Sequence, residues 1–180
     1  KRILWVGVDD ANTCVYVPVF NSTRTVPYQL SEGNGDMYNL SWDAMFWVNN
    51  YVANQAYNRY SQMIPDIRRV QSGLETAMDK AVAEEQKRIE GKSYAEAQAD
   101  LQKLTDYWTE KSTRDYKSLG DYLFVKYLDG NIKKEKDGKF ERNEAGTPMQ
   151  PVFGGYNQRY FESIAKSPGG ERLKVVDIKE

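Results

Sequence analysis

The chain has 180 residues, enough for one ordinary domain, and its 25 basic and 26 acidic side chains nearly cancel, so net charge implies neither a nucleic-acid nor an acidic-membrane partner. It contains no histidine and one cysteine, Cys14, which removes Ser-His-Asp and Cys-His catalysis, histidine- or cysteine-built zinc sites and any internal disulfide. Thirteen tyrosines and four tryptophans argue for a packed core and against disorder.

The first residues, Lys1-Arg2-Ile3-Leu4, lead straight into an apolar run without an initiator Met or a signal-peptide pattern, which reads as a piece of something longer. Ile3 to Val8 and Thr13 to Val19 read as strands, joined as a hairpin by the turn-forming Asp9-Asp10-Ala11-Asn12. Both faces of both strands are apolar, the pattern of a sheet covered on two sides. Two strands do not make such a sheet, so their neighbours are expected elsewhere. Pro18 marks a strand end or edge. Phe20 to Leu40, with Pro27, Gly33 and Gly35, reads as a long loop, a kind of segment that is usually functional or packs across another part of a protein.

Ser41 to Gln71 is the most strongly periodic stretch. Trp42, Phe46, Tyr51, Tyr57, Tyr60 and Ile64 recur at helical spacing, Ser41 is a candidate N-cap, and Asp43 would sit in the first turn, where the helix dipole favours an acid. Asn49, Asn50, Asn54 and Asn58 run through this helix; a buried amide needs partners, or one of the four faces a site. The stretch is too polar to cross a membrane. Pro65 predicts a kink or break, after which a second helix runs from about Asp66 to Glu90 and stops at Gly91. Ser93 and Glu96 form a capping box opening a third helix, which runs to about Asp129 and is expected to bend or break near Gly120. The short link at Gly91-Lys92 pairs the second and third helices as an antiparallel hairpin with a charged tip. Lys133 to Arg142 reads as a solvated turn or short hairpin around Asp137-Gly138, Asn157 to Lys166 as a short amphipathic helix, and Leu173 to Ile178 as a final strand. The chain is thus expected to be α+β, with strands and loop over residues 1–40, helices over 41–130 and a tail over 131–180.

Self-contained chemistry is missing. Cys14 is expected mid-strand as a small core residue, with no histidine to activate it and no free amino group of its own. Asp9-Asp10 are adjacent at a strand end, where neighbouring side chains point apart, so a turn role fits better than an acid-base pair. Gly33-Asn34-Gly35 is too short for a phosphate cradle and no Walker-type lysine follows. No catalytic, cofactor-binding or metal-binding residue is assigned.

The segments WVGVDDANTCVYVPVF (Trp5 to Phe20) and SWDAMFWVNNYVANQAYNRYSQMIPDIRRVQSGLE (Ser41 to Glu75) resemble the C-terminal part of bacterial cysteine dipeptidases. These are N-terminal-nucleophile hydrolases related to choloylglycine hydrolase and penicillin V acylase. The strand-turn-strand ending in Val-Tyr-Val-Pro, the Ser-Trp-Asp opening, the pair Phe46-Trp47, Asn54, Tyr60 and the run Met63 to Ile67 carry the resemblance. It implies a four-layer αββα enzyme that hydrolyses dipeptides through an N-terminal cysteine whose α-amino group is the base. That nucleophile and its supporting Arg, Asp and Asn would lie upstream of Lys1, so this segment is expected to be structural and inactive alone, with the Phe20 to Leu40 loop near the site. The expected partners are a dipeptide substrate for the whole enzyme and the remainder of the same protein; a homo-oligomer is compatible, and no cofactor, nucleic acid or membrane insertion is expected. Two alternatives stay open: a non-enzymatic interaction domain working through the charged hairpin Glu84 to Lys103, and an amide hydrolase for bile-salt conjugates or penicillin V.

Overall fold

The computed structural model describes residues 2–149, 152–153 and 155–173 and is α+β. The chain divides into two compact units, Lys1–Val125 and Lys126–Glu180. In the first, β1 (Ile3–Val6) pairs antiparallel with β2 (Val17–Phe20), setting Ile3 against Phe20 and Val6 against Val17; the helices α1 (Met45–Asn58), α2 (Tyr60–Arg88) and α3 (Tyr94–Lys126) follow.

Each strand is four residues long, shorter than the apolar runs predict. The cause is the connector, residues 7–16. Asp9 takes a left-handed φ of 72°, and the amides of Thr13 and Cys14 both donate to the Asp10 carbonyl, at 3.2 and 2.9 Å, curling the chain before it can rejoin the ladder. Cys14 therefore lies in the connector and not in a strand. The expectation of two covered sheet faces holds for one. Ile3, Trp5 and Phe20 pack with Val82 of α2, Ile89 at its C-terminal cap, and Ala97 and Leu101 of α3. On the other face Val17 is buried, but Leu4, opposite Val19, is 66 % exposed.

α1 begins at Met45, and neither Ser41 nor Asp43 has the role the sequence suggests: the residue at the cap is Ala44, without a side-chain cap bond, and the first turn carries no acid. Ser41 is drawn into the preceding loop, its hydroxyl donating to Asn34 Oδ1 at 2.6 Å. The break expected at Pro65 falls at Arg59 (φ −149°, ψ 50°), and Pro65 lies inside α2. Pro65 is the sixth residue of α2, past the first turn, so the helix runs through it with one bond fewer, the one its N–H would have given to the Ser61 carbonyl.

α2 stops ahead of Gly91, at φ 77°, and the capping box is formed: Ser93 N and Oγ donate to Glu96 Oε2 at 3.1 and 2.6 Å, and Glu96 N donates to Ser93 Oγ at 3.3 Å. α2 and α3 run antiparallel. Tyr122 OH reaches Asp66 Oδ1 at 3.3 Å at one end, and Arg88 meets Asp100 at 3.2 Å at the other.

α3 is continuous through the polar stretch and Gly120, against expectation. The hydroxyls of Thr109 and Thr113 donate back to the carbonyls of Thr105 and Thr109, both at 2.8 Å, so these threonines are buried without orphaned hydroxyls. Gly120 is buried because the Tyr51 ring of α1 occupies the place of a Cβ, and Gln55 Nε2 donates to its carbonyl at 2.9 Å. The helix ends at Lys126, short of Asp129.

In the second unit, β3 (Asn131–Ile132) pairs with β6 (Val152–Phe153) and β4 (Glu135–Lys136) with β5 (Lys139–Phe140). Asp137 and Gly138, at φ 52° and 73°, make the two-residue hairpin turn expected there. α4 (Gln158–Lys166) is capped by Asn157, whose side chain accepts from Tyr160 N at 2.9 Å. The predicted final strand lies, from residue 174 onward, outside the described residues. Among the described residues no helix is long and apolar enough to cross a membrane.

Candidate functional site

Chemistry-bearing residues gather in two places in the first unit: the connector with its cysteine, and the loop between β2 and α1. In the connector, Cys14 is 1 % exposed and its thiol is free. Burial pushes that thiol up from its ordinary value; a hydrogen bond with the Tyr16 side chain acts the other way, and Asp10, Glu75 and Asp9 raise it further. Gly7 faces it, and a Cβ there would stand 2.8 Å from the sulfur and 2.9 Å from the Tyr16 ring. A buried, neutral thiol is a packing group and a poor nucleophile.

The backbone around Cys14 is held by side chains from the helices. Tyr116 OH donates to Thr13 O at 3.0 Å, and Gln71 Nε2 to Cys14 O at 2.6 Å. Gln71 Oε1 accepts from Arg68 at 2.7 Å, Arg68 also donates to Asn12 Oδ1, and Asn12 Nδ2 donates to Tyr60 OH. Nothing in the spacing singles out Gln71 or Tyr116; only the fold shows that they bind the connector.

Asp9 and Asp10 do not converge. Asp9 Oδ1 accepts from Asn50 Nδ2 at 3.0 Å; Asp10 accepts from Tyr57 OH at 2.9 Å and from the Asn12 amide at 2.8 Å. The Asp10 bond raises the Tyr57 phenol. Turn stabilisation is thus the observed role. Among the described residues no group of three acidic or thiol side chains is placed to hold a metal ion. Of the four asparagines, Asn49 is buried and donates to Val8 O at 3.1 Å, with its own Oδ1 buried and unpartnered among the described residues. Half-buried Asn50 and exposed Asn54 and Asn58 form a ladder, Asn54 donating to the Asn50 carbonyl at 2.9 Å and Asn58 to the Asn54 carbonyl at 3.2 Å.

The loop between β2 and α1 encloses an open cavity of about 370 Å3. Its apolar wall is Val8, Leu30, Met37, Ala44, Phe46 and Trp47. The loop shapes this wall with its own short-range bonds. Asp36 Oδ1 accepts from the amides of Tyr38 and Asn39 at 2.7 and 2.8 Å, and these bonds hold its carboxyl below the usual range. Trp47 Nε1 donates to Asp36 O at 3.1 Å, and Asn34 Nδ2 to Tyr28 O at 3.1 Å. Gly35, at φ 81°, leaves no room for a Cβ, which would stand 2.9 Å from Asn39 O and 3.2 Å from Trp47 Cδ1. Gly33-Asn34-Gly35 is therefore a cavity wall. Loop length and the pair Phe46-Trp47 were the available signals; the closure of the loop over that pair was not visible in the spacing.

Residues 1–73 match the family model of Peptidase family C69, which supports a relative of the cysteine dipeptidases and a hydrolase of the peptidase class. The matched segment contains the strand pair, the connector, the whole cavity wall and α1, and ends within α2. No curated protein and no solved structure matches the chain.

Proposed function

With its first 73 residues related to Peptidase family C69, we propose that this chain is a C-terminal segment of a cysteine dipeptidase with the αββα layers of an N-terminal-nucleophile hydrolase. The family match carries the assignment. The chain's own chemistry supports the division of labour: its one thiol is buried and neutral, and it has no histidine to serve as a base. The attacking group is an N-terminal cysteine outside these residues, using its own α-amine as base. The segment supplies the β1–β2 pair, whose exposed Leu4 side leaves a face for further layers, and the loop cavity beside it.

Two preparations test this: the 180-residue chain, and the same chain extended by the coding sequence upstream of Lys1. Dipeptide hydrolysis is expected only from the extended protein, where it depends on a cysteine that processing leaves at the N-terminus. Hydrolysis by the 180-residue chain that disappears in Cys14→Ala overturns the proposal, as does an extension without such a cysteine.

A further inference from the structure

The cavity between the loop and α1 has a chemistry of its own. Its polar backbone and amide groups are largely engaged with one another: Asn34 bonds Tyr28 O and Ser41, and the Asp36 carboxylate is occupied by Tyr38 and Asn39. Side chains that face a ligand with nothing else to bind are thus mainly the apolar ones, chiefly Leu30, Met37, Phe46 and Trp47, with the Gln29 amide as a neutral polar group beside them. Two carboxylates, Glu32 and Asp36, also line the cavity, and no lysine or arginine does. Glu32 is exposed and has no partner among the described residues. A volume of about 370 Å3 is in the range of small-molecule sites.

We infer that this cavity binds a small molecule with an apolar side chain and a cationic head, namely the amino-terminal residue of a short peptide, with the side chain against Phe46 and Trp47 and the ammonium at Glu32. An apolar group gains by leaving water for this wall, and the uncompensated acids favour a cation over a carboxylate at the rim. Naming the ligand as a peptide amino terminus rests on the peptidase proposal; the preference for an apolar group with a positive charge rests on the cavity alone.

The 15N-labelled chain is titrated with L-phenylalaninamide, N-acetyl-L-phenylalaninamide and L-serinamide, following the Trp47 indole resonance, which is assigned with Trp47→Phe. L-phenylalaninamide is expected to shift that resonance saturably, and L-serinamide to leave it in place. Acetylation, which removes the ammonium, should weaken binding about threefold to fivefold, the upper part of the range of an exposed ion pair. Glu32→Gln, a change at an exposed side chain, should abolish that difference. No saturable shift, equal binding of the free and acetylated amides, or equal binding of L-serinamide overturns the inference. If the extended enzyme hydrolyses dipeptides while Trp47 does not titrate, the cavity assignment falls and the peptidase assignment stands; titration without hydrolysis gives the reverse.

Discussion

Residues 7–16 and residues 28–44 are both largely irregular, both lie in the segment matched by the peptidase family, and are held in opposite ways. The connector is tied from outside: Asn49, Asn50, Tyr57, Gln71 and Tyr116, from three helices, bond its backbone or its aspartates. The loop residues from Tyr28 on are tied mostly by one another, through Asp36, Asn34 and Ser41, and show Tyr38 and Met37 to solvent at 96 % and 73 % exposure; only the lead-in, Ser22 to Thr25, is held from α3, by Gln98 and Gln102. Connector stability is therefore inseparable from that of the helix core, whereas the loop can rearrange while the core stays intact. A rigid buried thiol and an adjustable cavity wall are the two outcomes.

Removing the deepest anchor gives the largest effect. Tyr116 is fully buried, and Tyr116→Ala is expected to lower unfolding free energy in urea by about 4 kcal/mol, combining a cavity with an orphaned Thr13 carbonyl. Gln71→Leu leaves the Cys14 carbonyl without its partner and takes from Arg68 one of its two acceptors, and about 2 kcal/mol is expected in the same measurement. If either variant unfolds like the parent, the connector is not coupled to the core.

The next effect is alkaline. The folded state raises Cys14 above 9.0 and Tyr116 above 10.0, so it holds both protons more tightly than the unfolded chain. Their contribution is complete below those unfolded values and is lost as pH rises through the higher folded ones. Urea midpoints should therefore fall above about pH 9, less steeply in Tyr116→Phe. In the native chain, labelling of Cys14 by a thiol reagent should keep pace with global unfolding; labelling at the rate of a free thiol would show that the connector opens locally.

The smallest effect belongs to the loop. Asp36→Ala should leave the urea midpoint nearly unchanged while shifting the Trp47 indole resonance. In the parent chain, acid should do the same. Asp36 is held below 3.8, so its contribution is present above that value and is lost as pH falls through the lower folded one. A large loss of stability from this substitution would erase the contrast between the two segments.

Much of the scaffold was legible in spacing. The capping box at Ser93, the stop at Gly91, the antiparallel α2–α3 pair and the Asp137-Gly138 hairpin follow from local chemistry that needs no tertiary partner. The misplacements share one cause. Ser41 was available as a cap until the loop took its hydroxyl, and Thr13 to Tyr16 had strand composition until Asp10 curled the backbone. Gly120 weakens a helix on propensity alone, yet here it makes room for a tyrosine from another helix. The cavity was hidden for the same reason, since its wall joins Val8, the loop and α1 from positions far apart in the chain.

Gly120 also acts as an axial stop. The Tyr51 ring is seated in the one gap that a missing side chain provides, and Gln55 is fastened to the carbonyl of that same residue. Sliding α1 along α3 in either direction would carry the ring out of that gap toward the side chains three and four residues away on the same face. Translation of one cylinder past the other is thereby cancelled, and α1 presents Phe46 and Trp47 at a constant height.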